Sequence, residues 1–150
     1  MASAGLSGRV ADGPTPRLNG VPHATVPHAT VPEVPMPPVG PYTPAVRAGD
    51  WLVISGQIGL GPDGLGDGFR GQLHQALANL DALLAEHGAR ADQVVKTTVF
   101  LVDMGDYAVL NDIYCEYFGD HRPARSAVAV ASLPLDAAVE VEAWAWLGAD

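Results

Sequence analysis

Ten of the chain's 13 prolines fall before position 45, and that crowding limits what the first quarter of the sequence can become. Proline removes a backbone donor and clashes within a helix, so neither helix nor sheet ladder is compatible with this density. The same stretch repeats itself, as VPHATVPHATVP from Val21 to Pro32. We therefore expect residues 1–38 to be an extended, mostly disordered leader and residues 39–150 to form one folded domain. His23 and His28 sit in the repeat without a carboxylate or thiol nearby. They are read as part of a flexible linker rather than as a metal site.

The folded part carries the charge. Arg9 and Arg17 offset Asp12 and Glu33 in the leader, which leaves the whole net charge of −9 on the remainder. Such a surface repels polyanions, so neither nucleic acid nor an anionic membrane is expected as a partner. No apolar run approaches the roughly 18 residues that span a bilayer. The first residues lack a basic head followed by an apolar core, so no secretory signal is read there. Cys115 is the single cysteine, which excludes an intrachain disulfide and any paired-thiol metal site. A cytoplasmic location is the default.

From Gly40 onward the periodicities alternate. Trp51 to Ser55 reads as a strand, and Gly61-Pro-Asp-Gly64 as a turn. Leu73, Ala76, Leu77, Leu80, Leu83 and Leu84 mark one face of a helix that Gly88 is placed to end. Val94 to Val102 is β-branched and aromatic, hence a strand. Asp103 is placed to cap a second helix with the stripe Leu110, Ile113, Tyr114, Tyr117 and Phe118, closed by Gly119. Strands at about 125–132 and 139–147 follow, with Pro134 and Asp136 between them. With a short strand near Ala45–Arg47, the order is β-β-α-β-α-β-β, an α+β domain.

Two helices cover one face of such a sheet, so the other should alternate with polar residues. The last strand does not. Val139, Val141, Ala143 and Ala145 share one side, while Trp144 and Trp146 share the other with Glu140 and Glu142. Either a second copy of the chain covers that face, or the proline-rich leader does.

Three charged positions lie inside apolar sequence. Arg125 cannot shed its charge, so its burial needs an anionic partner or a fork of acceptors. That anion is either a ligand carboxylate, gripped by two parallel hydrogen bonds, or a glutamate of the last strand. Glu140 and Glu142 point to one side of their strand. One of them, desolvated, would rise in pKa and pass protons; from spacing alone a solvated face or a cross-strand charge pair is the favoured reading. Lys96 is either a base or a stem that snorkels to water. No GxSxG, P-loop or strand-linked GxGxxG occurs. His74 and His87 are too far apart for a metal pair on one helix turn, His121 reads as a loop residue, and nothing near Cys115 lowers a thiol pKa.

Five segments then carry a resemblance. They are Gly40-Pro-Tyr42, Ile54-Ser-Gly-Gln-Ile58, Val94-Val-Lys-Thr-Thr-Val-Phe100, Arg122-Pro-Ala-Arg-Ser126 and Val139-Glu-Val-Glu-Ala143. In this order they resemble the RidA (YjgF-type) imine deaminases across about residues 39–147. The resemblance implies a chorismate-mutase-like α+β fold, a homotrimer with sites between subunits, and no metal or organic cofactor. It implies hydrolysis of 2-imino acids and enamines, such as 2-aminoacrylate and 2-iminobutanoate, to a 2-oxo acid and ammonia. By the same resemblance Arg125 would hold the substrate carboxylate and Glu140 would position or activate water. Tyr42, Ser55, Gly56, Asn111 and Ala127 would line the pocket.

The sequence also departs from that pattern. Ala127 stands where a cysteine is frequent. Gly59 replaces a usual proline and is expected to loosen its loop. Trp144 and Trp146 occupy aliphatic places. These departures motivate two alternatives: a specialised biosynthetic relative acting on another imine or carbonyl, and a non-catalytic trimeric carboxylate-binding module. Ribonuclease activity, attributed to some family members, ranks last on an acidic surface.

Overall fold

A computed structural model of the chain describes residue 38 and residues 40–149. The expected leader therefore lies outside the described residues except for Pro38, and so does any covering role for it. Chain order is β1 (Ala45–Ala48), β2 (Trp51–Ile58), β3 (Leu60–Gly61), β4 (Gly64–Leu65), α1 (Gly68–Glu86), β5 (Val94–Leu101), α2 (Tyr107–Phe118), β6 (Ala124–Ala129) and β7 (Val139–Trp146). The α+β class and the β-β-α-β-α-β-β order of the main elements match the expectation. The Gly61–Gly64 turn closes an added hairpin of β3 and β4.

The five-stranded sheet runs β1-β2-β7-β5-β6. All pairs are antiparallel except β5 with β6. That parallel pair needs a crossover, and α2 supplies it. Both helices lie on one face, where Leu73, Leu80, Leu84, Leu110 and Ile113 meet Leu52, Ile54, Val99, Val139 and Val141 in a core that excludes water. Deleting such a side chain, as in Leu80→Ala, costs about 2–5 kcal/mol.

Helix ends follow the sequence signals with one shift. Gly88 adopts φ +69, a region open to glycine. Its N–H bonds Ala85 O and that of Ala89 bonds Leu84 O, the paired bonds of a Schellman ending. Asp103 caps a short 3-10 turn, Met104–Asp106, by accepting from Gly105 N at 2.7 Å. The second helix starts only after that turn. Gly59, expected to loosen its loop, is instead buried, and a Cβ there would collide with Gln72 of α1. Glycine at this position lets strand and helix approach closely.

The opposite face lacks helices. On it Trp51, Trp144 and Trp146 are 37%, 46% and 37% exposed, and Val128 is 44% exposed. The three indoles pack edge to face, Trp51 lying 6.3 Å from Trp144 and 4.8 Å from Trp146 between ring centres. Together they make an exposed apolar patch on the helix-free face of the sheet.

Candidate functional site

Two clusters hold the residues singled out from the sequence, and the sheet separates them. The first forms around a break in β2. Between Ile54 and Gln57 the register against β7 shifts: three steps on β2 oppose two on β7, from Ala143 to Val141. The extra residue makes a bulge at Ser55–Gly56, and such bulges re-aim side chains. Ser55 Oγ donates to Thr43 O at 2.8 Å, and Ser55 N donates to Pro44 O at 2.9 Å. These bonds fasten the segment carrying Tyr42 over the bulge.

A cleft of about 360 Å³ opens there, lined by Gly40, Tyr42, Ser55, Gly56, Ile58, Pro134 and Glu140. The Glu140 carboxyl lies against Gly56, where any Cβ would overlap it. Glycine at this position lets the carboxylate lie against the backbone, and a larger residue would displace it. Burial raises the pKa of Glu140 above the usual carboxylate range, and the neighbouring charge of Glu142 raises it further. Of the two glutamates, only Glu140 lines the cleft. The wall at Pro134 ends in two residues with left-handed backbone, Leu135 at φ +56 and Asp136 at φ +59.

The second cluster surrounds Arg125. On β6 this residue pairs with Thr97 of β5, which is fully buried beneath α2. Arg125 therefore faces the helices. Its Nη2 donates to Asn111 Oδ1 at 2.7 Å and to the Tyr107 hydroxyl at 3.3 Å. The guanidinium carbon lies 4.6 Å from the Tyr114 ring centre and 5.5 Å from that of Tyr107. Among the described residues Arg125 forms no salt bridge. The internal pairing with a last-strand glutamate, left open by the sequence, is therefore not made within the chain.

Geometry explains why. Glu140 and Glu142 point to the open face, and Arg125 points to the helical face. Glu140 pairs with Phe100 of β5, whereas Arg125 pairs with Thr97. That offset is roughly 10 Å along the strands and two strand spacings, again roughly 10 Å, across them. One small acid cannot touch both within one chain. Ala127 sits two residues beyond Arg125 on β6, half-buried and outside the lining of the Glu140 cleft.

Lys96, on the open face, donates to Ser126 Oγ at 2.7 Å. It is neither buried nor in the cleft, as a snorkelling stem requires. Tyr107, Pro134 and Ile58 belong to these clusters but were not singled out from the sequence. Tyr107 carries a legible signal: with Asn111 and Tyr114 it falls at i, i+4 and i+7 on one helix face. Among the described residues no three His, Cys, Asp or Glu side chains come together to hold a metal. Nor is any helix long and apolar enough to cross a membrane.

Comparison with known proteins places the sequence and fold among relatives. A family model described as endoribonuclease L-PSP matches residues 33–147. A RutC family protein of Pyrococcus horikoshii is 44% identical over 113 residues, covering 73% of this chain and 89% of its own length. The 2-iminobutanoate/2-iminopropanoate deaminase of Mus musculus is 43% identical over 113 residues, 73% of this chain and 84% of that protein. Among solved structures, E. coli TdcF with bound serine superposes with a TM-score of 0.71 at 34% identity, covering 74% of this chain and 91% of that one.

Proposed function

The chain belongs to the RidA (YjgF-type) family, and we propose that it hydrolyses 2-imino acids and their enamine tautomers to a 2-oxo acid and ammonia. The observation that carries this reading is the Glu140 carboxyl, held over Gly56 in a cleft with its pKa raised. A mouse relative named for this reaction and a solved relative holding serine support the substrate class.

The chemistry asks for little beyond placement. An imine is already open to attack by water, so orienting the acid and moving two protons is sufficient. Arg125 takes the substrate carboxylate. Ionised Glu140 accepts a proton as water adds to the imine carbon. It returns that proton to nitrogen, giving the carbinolamine, and then carries the hydroxyl proton to nitrogen as the C–N bond breaks, the C=O forms and ammonia leaves. General acid–base help of this kind contributes about 10²–10⁴-fold. The reaction as proposed draws on no metal or organic cofactor. Tyr42, Ser55 and Gly56 wall the acid–base side, and Asn111 and Ala127 stand with the arginine.

Because one chain keeps the two charged groups on opposite faces, the complete site is assembled from two copies in a homotrimer. Arg125 of one copy then meets the Glu140 cleft of the next. The same assembly covers the exposed tryptophans of the open face. Within this reading residues 39–150 are the catalytic domain, residues 1–38 the leader, and the location cytoplasmic.

The test is ammonia and 2-oxo acid release when a serine or threonine dehydratase generates the imine in place. Wild type should accelerate release, and Arg125→Ala should not. Equal rates from the two proteins reject the assignment. Metal-free RNA cleavage insensitive to salt would instead favour the activity named in the family description, against the charge of −9.

A further inference from the structure

A half-buried arginine is ordinarily found beside a carboxylate. Arg125 has two tyrosine rings instead, at 4.6 Å and 5.5 Å, and one amide oxygen. We propose that Tyr107 and Tyr114 form an aromatic sleeve that stands in for a counter-ion and presents the free donors of Arg125 to an incoming carboxylate. They are positioning residues for the proposed reaction, so the inference rests on that reading of Arg125.

The donor inventory supports it. A guanidinium has five N–H groups. Within the described residues Arg125 bonds only through Nη2, to Asn111 and Tyr107. The single N–H of Nε and the two of Nη1 remain for a guest. A protein carboxylate in place of the rings would occupy the fork and neutralise the charge, leaving nothing for a substrate to gain. A ring attracts the cation through its quadrupole yet accepts none of the in-plane donors. The rings thus stabilise the charge while the Nε and Nη1 donors stay unused within the described residues.

The two tyrosines divide the work. Tyr114 is buried, and its hydroxyl is tied to Thr97 Oγ1 at 2.7 Å. That bond joins the ring to β5, the strand adjoining Arg125, so ring and guanidinium share one frame. Burial also keeps the Tyr114 phenol protonated, its pKa lying above the usual value, and a neutral ring adds no competing anion. Tyr107 is 39% exposed at the N-terminus of α2. It closes the outer side, and its hydroxyl reaches Nη2.

Two readouts test the sleeve, and one of them needs no turnover. The first is the NMR resonance of the Arg125 Nε–H in the free protein, identified by its absence in Arg125→Lys. Ring currents from the tyrosines should displace it. Tyr107→Leu should move it back toward the random-coil position, and Tyr107→Phe should leave it nearly in place. The second is affinity for 2-oxobutanoate. Tyr107→Leu should raise its Kd, and the KM for the imine, about two- to fivefold with kcat unchanged. Tyr107→Phe should recover most of that loss. Tyr114→Phe, which keeps the ring and drops the Thr97 bond, covers the case in which a larger change at this buried position fails to fold. If wild type binds 2-oxobutanoate and Tyr107→Leu alters neither affinity nor resonance, the sleeve is overturned while Arg125 keeps its role. Binding that depends on both Arg125 and Tyr107, without ammonia release, supports the sleeve and rejects the deaminase. A wild type that ignores 2-oxobutanoate overturns the inference outright.

Discussion

The two charged groups of the site are treated in opposite ways by the fold. Arg125 is held: two hydrogen bonds and two aromatic rings fix it against α2. Glu140 is crowded: it presses on Gly56, beside Glu142, and no hydrogen bond from the described residues supports its charge. The difference follows from chemistry. An arginine cannot lose its proton, so a fold that shields it must stabilise the cation. A glutamate can regain its proton, so a fold that shields it without support simply raises its pKa. In the proposed reaction one group grips and the other exchanges a proton.

The largest expected effect comes from separating these tasks. Arg125→Ala alone and Glu140→Gln alone should each lower kcat/KM by about a hundredfold or more. Mixed trimers assembled from equal amounts of both variants should recover about a quarter of wild-type activity. In random assemblies one seam in four pairs an intact arginine with an intact glutamate. Steady-state rates of co-expressed, tag-separated mixtures measure this. No recovery would place both groups of a site in one chain, contrary to the opposite-face geometry.

Next in size is a pH effect on stability from Glu140 itself. Its folded-state pKa lies above the unfolded value, so the folded chain binds the proton more tightly. The associated stability is full below the ordinary carboxylate range and is lost as pH rises to the raised value. Above that raised value ionised Glu140 therefore strains the fold. Glu140→Gln should melt at the same temperature as wild type or higher at pH 7, with the advantage shrinking at pH 4. Thermal melts at both values check it. A less stable glutamine variant at pH 7 would mean that the carboxylate gains a stabilising partner in the assembly, with Arg125 of the adjoining copy the first to examine.

How far the sequence revealed these contrasts depends on the kind of information each needs. The core leucines of α1 and the alternation in β7 were legible because burial imposes a period on them. Gly88 and Gly119 were legible because helix endings favour left-handed backbone, which both adopt. Arg125 and Glu140 stood out because a charge within apolar sequence calls for an explanation. The bulge at Ser55–Gly56 did not show, since an inserted residue is defined only against the partner strand. Nor did the role of Tyr114. Its position in the apolar stripe of α2 accounted for it fully as core, and only the parallel pairing of β5 with β6 brings Arg125 beneath its ring. Asp103 was read correctly as a cap but one turn early, because a 3-10 start uses the same capping residue.

The open face offers a third test, smaller for the chain itself. Trp144 is 46% exposed, so Trp144→Thr removes little intrachain packing. Its effect should fall on association: a sedimentation profile shifted toward monomer at low micromolar concentration, with α1 and α2 intact by circular dichroism. Activity should fall in step with the trimer fraction if the site is completed by a second copy. Full activity in a monomer would break that link.

The smallest expected effect isolates one cause of the Glu140 shift. Burial is the larger and the charge of Glu142 the smaller. Glu142→Gln leaves the cleft lining untouched, because Glu142 does not contribute to it. It also removes a like charge, so the pKa of Glu140 should drop while staying above the ordinary carboxylate value. With Glu140 as the base of the proposed reaction, activity should rise with pH through its pKa. The acid limb of kcat against pH should move to lower pH in Glu142→Gln, with the plateau rate nearly unchanged. Raising the salt concentration should shift the wild-type limb the same way, by screening the same repulsion, and should shift the variant less. A limb that stays in place in Glu142→Gln would assign the whole shift to burial. A collapsed plateau would instead make Glu142 the proton carrier and Glu140 its neighbour, reversing the two roles that the cleft geometry assigns.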